Sequence, residues 1–448
     1  MEIGNYFAGQ AILEHVLKIS KSLAPEGSKE AVDAPGTELR PLARTGENRV
    51  VRLAYLVSHP IQYQAPLLRR VAKEPGIDLT VFFISDFSLG EYRDEGFGTS
   101  FKWDVPLLGG YRHQMLQTKG PSSPVTATRP WIRNLTPVLR AGRFDAIWLH
   151  GYSQITHLRA IAAARRLGIK VMIRAESQMT SAEGTGLTRS MKEAFIRRLF
   201  RKIDAFLAIG TLNQAYYEHY GVSPERIFQV PYAVDNAMFQ SLASEADLDR
   251  EKLRGDLGLE PGRPVILFAS KLIPRKRAGD LIEAYARLLR VANEPHPYLV
   301  IVGDGEQRAM LEARARELGL AAVLFLGFKN QRELPAYLNL CDVFVLASER
   351  EPWGLIVNEA MNAGRPVIVT DEVGASSDLV EDGVNGFTIP ARDVDALVNA
   401  LSSITSNPEK AREMGRSGLE RINTWDYDAD VRGIKQALDY VLAGDRRL

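Results

Sequence analysis

The sequence predicts an α/β protein made of two doubly wound, Rossmann-like domains that face each other across a cleft. From Val50 onward, short apolar runs typical of buried strands alternate with stretches of helical periodicity, which indicates parallel sheets covered by helices on both faces. After Tyr232 the polar stretch "AVDNAMFQSLASEADLDREKLRGDLGLEPGR" interrupts this alternation, which then restarts. A chain of 448 residues also exceeds the length that a single core usually supports.

The domain boundaries follow from these changes along the chain. Residues 1–49 are predicted as an extension in which an amphipathic helix, "AILEHVLKISKSL", precedes a flexible tether rich in Pro, Gly and charge. Residues 50–235 form the first domain and residues 236–424 the second. Residues 425–448 are expected to form a C-terminal helix that packs back toward the first domain.

Each domain has its own series of candidate strands. Those of the first domain are "VVRLAYLV", "LTVFFI", "DAIWLH", "IKVMIRA", "DAFLAIG" and "RIFQVPY". Those of the second are "PVILFAS", "YLVIVGDG", "VLFLGF", "DVFVLAS", "RPVIVT" and "GFTIP". Helical segments such as "SQITHLRAIAAARRLG" separate most of them. Ligands of such sheets bind beyond the carboxyl ends of the strands, so we expect the active site in the cleft.

The charge distribution predicts an anionic partner for the first domain. Residues 51–235 hold 24 basic and 15 acidic residues, which favours a phosphate-bearing substrate or an anionic lipid surface over an accidental excess on solvated faces. Basic residues interleaved with stacking aromatics are not evident, so no nucleic acid is expected. The single cysteine and the lack of an apolar run of 18 residues indicate a cytoplasmic protein. The acidic N-terminus is not typical of a signal peptide.

Two glutamates in "SEREPWGLIVNEAMNAGRPVI" suggest a ligand with hydroxyls at both ends. Glu351 lies in a predicted strand-to-helix turn, and helical geometry places Glu359 on roughly the same side of the helix. The helix start offers free N–H groups to a diphosphate, and carboxylates accept hydrogen bonds from sugar hydroxyls. This arrangement fits a nucleotide sugar. The alternative is a favourable acid near a helix start with an unrelated glutamate further in.

Further candidate groups follow the neighbouring strands of the second domain. Lys271 and Lys276 bracket the turn in "FASKLIPRKRAGDLIEAY", where cations could neutralise a diphosphate leaving group. Gly303 and Gly305 in "IVGDGEQ" allow close backbone approach to a ligand, although this pattern also marks ordinary turns. Main-chain groups for a base follow in "FLGFKNQREL", at Phe328 and Lys329.

In this order, these motifs resemble the carboxyl-terminal domain of retaining glycosyltransferases of family 4, the group 1 glycosyl transferases of the GT-B fold. The resemblance runs through "SKLIPRKR", "VGDGEQ", "LGF", the Glu-x7-Glu pair and "GASSDLVEDGVNGFTIP", over about residues 264–390. It implies that Lys271 and Lys276 hold the donor diphosphate and that Glu359 takes the ribose hydroxyls. It also implies that Glu351 and the main chain of Pro352, Trp353 and Gly354 contact the donor sugar. Leu355, which follows them, is a further donor-binding candidate.

The first domain offers candidates on the acceptor side. His150 ends "DAIWLHGY" and matches the strand-end histidine that the family places against the donor sugar; the alternative is a satisfied core histidine. His59 in "HPIQY" replaces the Gly-Gly loop of related enzymes and contacts a substrate or fixes the turn. Arg174 and Glu176 also lie at a strand end. Asp94, in "EYRDEGFGTSFKWDV", is expected in an acceptor pocket or in a plain surface loop.

The basic stretch "MKEAFIRRLFRKIDAF" has two interpretations. Residues 191–202 form either an interfacial helix that meets anionic lipid headgroups or an ordinary helix with its apolar stripe in the core. The first would place the protein peripherally on the inner face of the cell membrane.

The resemblance implies glycosyl transfer with retention at the anomeric carbon. His150, Lys271, Lys276 and Glu351 are the catalytic candidates. Because no Asp-x-Asp motif occurs in a suitable loop and two lysines can replace a divalent cation, we expect no metal and no cofactor. The co-substrate is a nucleotide-diphosphate sugar of the UDP or GDP type, and the acceptor is a lipid-linked, polysaccharide or other glycan. The alternatives are a non-catalytic nucleotide-sugar-binding scaffold and a nucleotide-sugar 2-epimerase on the same fold.

Overall fold

Two parallel sheets form the framework of the protein in the computed structural model. The structure describes residues 49–123, 125–179, 187–291 and 294–443. The helix and tether predicted for the N-terminal extension lie outside the described residues. The two sheets and the helices on their faces confirm the predicted α/β fold class.

The first sheet has seven parallel strands in the order β11-β10-β9-β8-β1-β2-β5. The strands of this half are β1 (Val51–Val57), β2 (Ile77–Phe83), β3 (Tyr92–Asp94), β4 (Thr99–Phe101), β5 (Arg112–Met115), β6 (Thr118–Lys119), β7 (Trp131–Ile132), β8 (Ala146–His150), β9 (Lys170–Arg174), β10 (Ala205–Ala208) and β11 (Ile227–Gln229). Outside the sheet, β3 pairs with β4 and β6 pairs with β7 to form two small antiparallel ribbons. The helices are α1 (Gln64–Ala72), α2 (Leu135–Gly142), α3 (Ile155–Arg166), α4 (Leu187–Phe200) and α5 (Thr211–His219). The edge strand β5 and both ribbons were missed by the sequence analysis.

The second sheet has six parallel strands in the order β14-β13-β12-β15-β16-β17. They are β12 (Val265–Ala269), β13 (Tyr298–Val302), β14 (Val323–Phe325), β15 (Val343–Leu346), β16 (Val367–Thr370) and β17 (Gly386–Ile389). The helices of this half are α6 (Asn236–Leu248), α7 (Arg250–Asp256), α8 (Ala278–Val291), α9 (Arg308–Glu317), α10 (Leu334–Leu340), α11 (Leu355–Asn362), α12 (Ser376–Leu379), α13 (Val394–Thr405) and α14 (Pro408–Ile422).

Both sheets are buried on both faces, as their continuous apolar runs predict. Alternate residues of β12 point into different clusters: Val265 and Leu267 join one core, whereas Ile266 and Phe268 join the other. The same alternation in β1 separates the two cores of the first domain. Burial of this apolar surface is the main force that holds each domain together.

The last helix, α15 (Tyr427–Leu442), leaves the second domain and packs on the first sheet. Asp426 caps its start by accepting a hydrogen bond from the Ala429 N–H at 2.8 Å. Its apolar residues Ile434 and Leu438 join the core that contains Leu53 and Tyr55 of β1. Gly433 has no room for a side chain because a Cβ there would collide with the main-chain oxygen of Gln229 in β11.

Candidate active site

The loops that follow the parallel strands meet between the two sheets and enclose the cleft. Gln178, after β9, donates hydrogen bonds from Nε2 to the main-chain oxygens of Glu351 at 3.0 Å and Glu372 at 3.3 Å. Thr211, after β10, donates from Oγ1 to Asp378 at 2.7 Å. The carboxyl ends of the two sheets therefore face each other, and most of the predicted site residues lie on these loops.

Lys276 and Glu351 form a buried ion pair at adjacent strand ends. Lys276 lies in a short 3-10 turn after β12, and its Nζ donates to Glu351 Oε2 in the loop after β15. The two residues are only 7% and 2% exposed, and Arg275 Nη1 lies 3.4 Å from the same carboxylate oxygen. The next residue, Arg277, has a left-handed φ of 53° and donates from Nε to Asp280 at 2.8 Å, which holds the turn in the conformation that glycine favours.

Lys271 is paired with a residue of the other domain. Its Nζ lies 3.0 Å and 3.2 Å from the two carboxylate oxygens of Asp94, at the end of β3. Burial opposes ionisation of Asp94, but Lys271 and the Phe97 N–H outweigh it and hold the pKa of the carboxyl below its usual range. Asp94 was expected in an acceptor pocket or a surface loop; the structure instead places it, 5% exposed, against Lys271 of the second domain.

Gly303 and Gly305 bring two loops of the second domain into close contact. Their φ values are 132° and 154°, a region that residues with a Cβ rarely adopt. A Cβ on Gly303 would collide with the Ser270 main-chain oxygen, and one on Gly305 would lie 2.5 Å from that of Leu272. These glycines were expected to let a ligand approach the backbone closely. In the structure they instead let the backbone approach the loop that carries Lys271.

The start of α11 presents the predicted donor-binding segment. Gly354 caps the helix with φ 89°, and Leu355 and Glu359 are partly exposed. Among the described residues the structure gives the Glu359 carboxyl no hydrogen-bond partner, and burial raises its pKa to about 8. Trp353, in contrast, is 2% exposed, and its Nε1 donates to Asn358 at 2.9 Å.

The main chain before α11 is held by the turn after β16 that contains Gly374. The Gly374 N–H donates to the Glu351 oxygen at 2.9 Å, and the Ala375 N–H donates to the Trp353 oxygen at 3.0 Å. A Cβ on Gly374 would collide with the Pro352 oxygen. The motif "GASSDLV" therefore fixes the path of the loop that carries Glu351.

Phe328 and Lys329 follow β14 at the far end of the second sheet. The Phe328 ring stacks on Phe101 of the first domain, with centroids 4.3 Å apart and planes inclined by 23°. Lys329 Nζ lies 4.0 Å from a carboxylate oxygen of Glu333 and 5.3 Å from the centre of the Tyr337 ring. The position predicted for the base is thus bordered by an aromatic side chain from each domain.

His150 lies at the end of β8 in a polar network. Gln64 Nε2 lies 2.8 Å from His150 Nε2, and the Tyr55 hydroxyl donates to Gln64 Oε1 at 2.5 Å. Because burial raises the pKa of Tyr55, this hydroxyl stays a donor, and the Gln64 amide is left to donate to the imidazole. Gln64 was missed by the sequence analysis, although it directly follows the quoted "HPIQY".

Glu176 joins this network from the end of β9. Its Oε1 lies 3.5 Å from His150 Nε2 and accepts hydrogen bonds from the hydroxyls of Tyr63, at 3.2 Å, and Tyr232. The structure therefore brings together two predicted residues, His150 and Glu176, on the first-domain side of the cleft. His59 has a different hydrogen-bond partner, with Nδ1 2.8 Å from Ser58 Oγ, and burial lowers its pKa to about 3.

Arg174 does not line the cleft, which corrects its assignment to the acceptor side. The side chain is 2% exposed, pairs with Asp430 of α15 at 3.1 Å, and donates to the Pro231 oxygen at 2.6 Å. A long cationic side chain at the end of a central strand can turn back into the core when a carboxylate from another element meets it. The sequence offered no local sign of this partner 256 positions away.

Helix α4 buries the apolar stripe that suggested an interfacial helix. Ile196, Leu199 and Phe200 belong to the core of the first domain, whereas Arg198 and Arg201 are exposed. In the part of the chain that the structure describes, no helix combines the length and apolar character needed to cross a membrane. Within the same residues, no group of three His, Cys, Asp or Glu side chains is placed to hold a metal ion.

The fold and the cleft define a GT-B protein, with two facing Rossmann-like domains and a cationic strand end beside a helix start. Two family descriptions match the chain: "Glycosyl transferases group 1" over residues 249–421 and "Glycosyl transferase 4-like domain" over residues 73–233. The chain belongs to this family of group 1, family 4-type glycosyltransferases, which confirms the resemblance that its motifs indicated.

Individual relatives match part of the chain. D-inositol 3-phosphate glycosyltransferase of Nocardia farcinica is 30% identical over 272 residues, which cover 58% of this chain and 58% of the relative. GDP-mannose-dependent alpha-(1-6)-phosphatidylinositol monomannoside mannosyltransferase of Mycolicibacterium smegmatis is 32% identical over 207 residues, which cover 44% of this chain and 52% of the relative. The chain thus spans about half the length of these curated relatives.

A solved structure, Anabaena Alr3699/HepE in complex with UDP, matches the fold with a TM-score of 0.64. It is 18% identical, and the match covers 87% of this chain and 99% of that one. At this identity the likeness concerns the fold, and it extends over both domains.

Proposed function

We propose that the protein transfers a glycosyl group from a nucleotide-diphosphate sugar to a glycan or lipid-linked acceptor, with retention at the anomeric carbon and without a divalent cation. The observation that carries this proposal is that Lys271, Lys276 and the start of α11 lie at the carboxyl ends of the adjacent strands β12 and β15. The Glu359 carboxyl on α11 has no hydrogen-bond partner among the described residues. Cations and free N–H groups suit a diphosphate, and the carboxyl group suits a diol.

In the proposed reaction the bond between the anomeric carbon and the diphosphate oxygen breaks, and the acceptor oxygen forms a bond on the same face. The acceptor proton passes to the departing diphosphate oxygen. Lys276, held by Glu351, and Lys271 stabilise the negative charge that develops there, and loss of one such preorganised donor typically slows a reaction by about 10²–10³-fold. His150 and Glu176 border the sugar from the first domain, where Gln64 orients the imidazole.

The activities named for the similar proteins support the substrate classes. One relative uses GDP-mannose and acts on a phosphatidylinositol monomannoside, another acts on D-inositol 3-phosphate, and the structural neighbour binds UDP. A donor of the UDP or GDP type and a polysaccharide, lipid-linked or other glycan acceptor follow as the proposal for this chain. No further cofactor is part of it.

A thermal-shift series against UDP, GDP, ADP and their common sugars tests nucleotide binding. We expect one base to raise the melting temperature of the wild type by several degrees, and Glu359→Ala to lose most of that rise. Glu413→Ala, which changes an exposed glutamate of α14, is the matched control and should keep the rise. If no nucleotide shifts the wild type, the transferase proposal is wrong.

Catalysis is tested separately from binding with the nucleotide sugar that gives the largest shift. An enzyme of this type hydrolyses its donor slowly without acceptor, whereas a binding protein leaves it intact. We expect hydrolysis that persists in EDTA and is reduced in Lys276→Ala, and nuclear magnetic resonance of the first-formed product should show the donor's anomeric configuration. If EDTA abolishes turnover and added Mg²⁺ restores it, the proposed metal independence is wrong.

Contact with an anionic membrane is proposed as electrostatic only, in a cytoplasmic protein that lies peripherally on the inner membrane face. The exposed Arg198, Arg201 and Lys202 at the end of α4 supply the charge, since the apolar stripe of this helix is in the core. Sedimentation with vesicles containing phosphatidylglycerol should fall in the triple alanine variant and at high salt. Equal sedimentation with pure phosphatidylcholine vesicles would refute the contact.

A further inference from the structure

Residues 92–104, here called the bridging ribbon, reach from the first domain onto the second. The ribbon consists of β3, β4 and the residues up to Asp104. Asn330 Nδ2 donates to the Lys102 oxygen at 2.7 Å, and the Arg332 N–H donates to Asp104 Oδ2 at 3.1 Å. The ribbon therefore lies across the loops after β12, β13 and β14, which carry the proposed donor site.

The aromatic side chains of the ribbon anchor it at the base end of that site. Phe101 stacks on Phe328, and the Phe97 ring approaches Phe328 edge-on with centroids 4.8 Å apart. In the middle of the ribbon, a Cβ on Gly305 would lie 2.9 Å from the Gly96 oxygen. The ribbon and the loop after β13, which contains Gly305, are thus in direct contact.

Asp94 is held in place by the ribbon itself. Its Oδ1 accepts the N–H groups of Gly96 at 2.9 Å and Phe97 at 3.0 Å. The carboxylate is therefore fixed independently of Lys271, which then approaches both oxygens and lies with Nζ 4.9 Å from the centre of the Phe97 ring. Lys271 fits closely, because a Cβ on Gly96 would lie only 2.7 Å from its Cδ.

This pair differs from the other lysine pair in what it connects. Lys276 and Glu351 both belong to the second domain, so their contact does not depend on the ribbon. Lys271 and Asp94 belong to different domains and are 177 positions apart. A carboxylate and a phosphate oxygen are equivalent acceptors for an ammonium group, and Asp94 already neutralises Lys271.

We propose that Asp94 competes with the donor diphosphate for Lys271, so that nucleotide binding and release of the bridging ribbon are linked. The inference rests on the proposed function, which assigns the diphosphate to Lys271. Linkage is reciprocal: a nucleotide that takes Lys271 loosens the ribbon, and a change that frees Lys271 from Asp94 strengthens nucleotide binding. Asp94 thereby sets donor affinity without being a catalytic residue.

The test is titration calorimetry of the full chain with UDP and GDP. Asp94→Asn keeps an oxygen for the two N–H groups of the ribbon but removes the charge, and it should tighten binding on the order of tenfold. Gly96→Ala displaces the flexible end of Lys271 sterically with no change of charge, and it should also tighten binding. Glu95→Gln, which removes the charge of an exposed carboxylate on the same ribbon, is the matched control and should bind as the wild type does.

Steady-state kinetics separates competition from a structural role. In Asp94→Asn the KM for the nucleotide sugar should fall in proportion to the dissociation constant, while circular dichroism confirms the fold. Weaker or unchanged binding in both Asp94→Asn and Gly96→Ala, with a wild type that binds, would overturn this inference alone. If the wild type and all variants bind neither nucleotide, the proposed function fails and the inference with it.

Discussion

Lys276 donates a hydrogen bond to Glu351 across the ends of two adjacent strands, and both charges lie in the protein interior. Removal of either side chain should destabilise the folded state, because the remaining buried charge keeps its desolvation cost and loses the compensating attraction. The pair also fixes the ammonium group beside the start of α11.

The first prediction concerns this buried pair. Lys276→Ala should lower the free energy of unfolding by about 3 kcal/mol, because the buried Glu351 carboxylate then loses its closest cation and is left with the longer contact to Arg275 at 3.4 Å. Urea denaturation measures the loss. The double variant Lys276→Met, Glu351→Gln should recover much of it without recovering activity.

An exposed ion pair provides the control for that measurement. Arg287 pairs with Asp395 at 2.7 Å, but the two side chains are 49% and 83% exposed. Arg287→Ala should therefore change the stability by less than about 1 kcal/mol. Similar losses in Lys276→Ala and Arg287→Ala would show that the buried pair has no special weight.

The second prediction is a pH dependence that originates at Glu359. Burial raises its folded-state pKa from 4.5 to about 8, so between these values the unfolded chain releases a proton that the folded chain retains. Stability should fall as the pH rises through this window and stay level above it. Glu359→Gln should match the wild type near pH 5 and exceed it by on the order of 2 kcal/mol at alkaline pH. The urea midpoints of both proteins, measured near pH 5 and at alkaline pH, give this difference in stability. An equal change of stability with pH in the wild type and in Glu359→Gln would contradict the prediction.

The third prediction concerns the attachment of α15. Arg174→Ala leaves Asp430 buried without its cation and should cost about 3 kcal/mol in urea denaturation. Asp428, two positions earlier in α15, pairs with Arg70 at 2.9 Å but is 60% exposed. Asp428→Asn should leave the unfolding curve almost unchanged, and a loss equal to that of Arg174→Ala would argue against a specific role for the buried pair.

The fourth prediction compares two glycines of the second domain. Gly303→Ala combines an unfavourable φ with a collision at the Ser270 oxygen and should lower the melting temperature markedly or prevent folding. Gly279 lies inside α8, where the nearest atom to an added Cβ is a Leu311 methyl at 3.7 Å. Gly279→Ala should be neutral or stabilising by about 1 kcal/mol, because alanine is the better helix former. Differential scanning calorimetry distinguishes the two results.

Local patterns predicted the second domain well because its chemistry follows its strands in order. Lys271, Lys276 and Glu351 each lie within a short loop after a buried strand, so position along the chain fixes position in the cleft. The continuous apolar runs likewise predicted two parallel sheets.

Local sequence patterns did not predict ion-pair partners that come from distant elements. Asp94 reads as part of a polar loop, and only the folded ribbon shows that it meets Lys271. Arg174 ends a strand as a binding residue would, yet Asp430 of α15 draws it into the interior. The assignment of a charged strand-end residue thus depends on whether another element supplies the opposite charge, which periodicity does not reveal.

The placement of α15 sets an order of events during synthesis. One face of the first sheet receives Ile434 and Leu438 from a helix that the ribosome makes only after the entire second domain. Apolar residues of β9 and β10 on that face, Met172, Ala205 and Leu207, therefore stay uncovered while the second domain emerges. The half of the protein that is translated first is the half that is completed last, and during this interval it has the exposed apolar surface that chaperones bind.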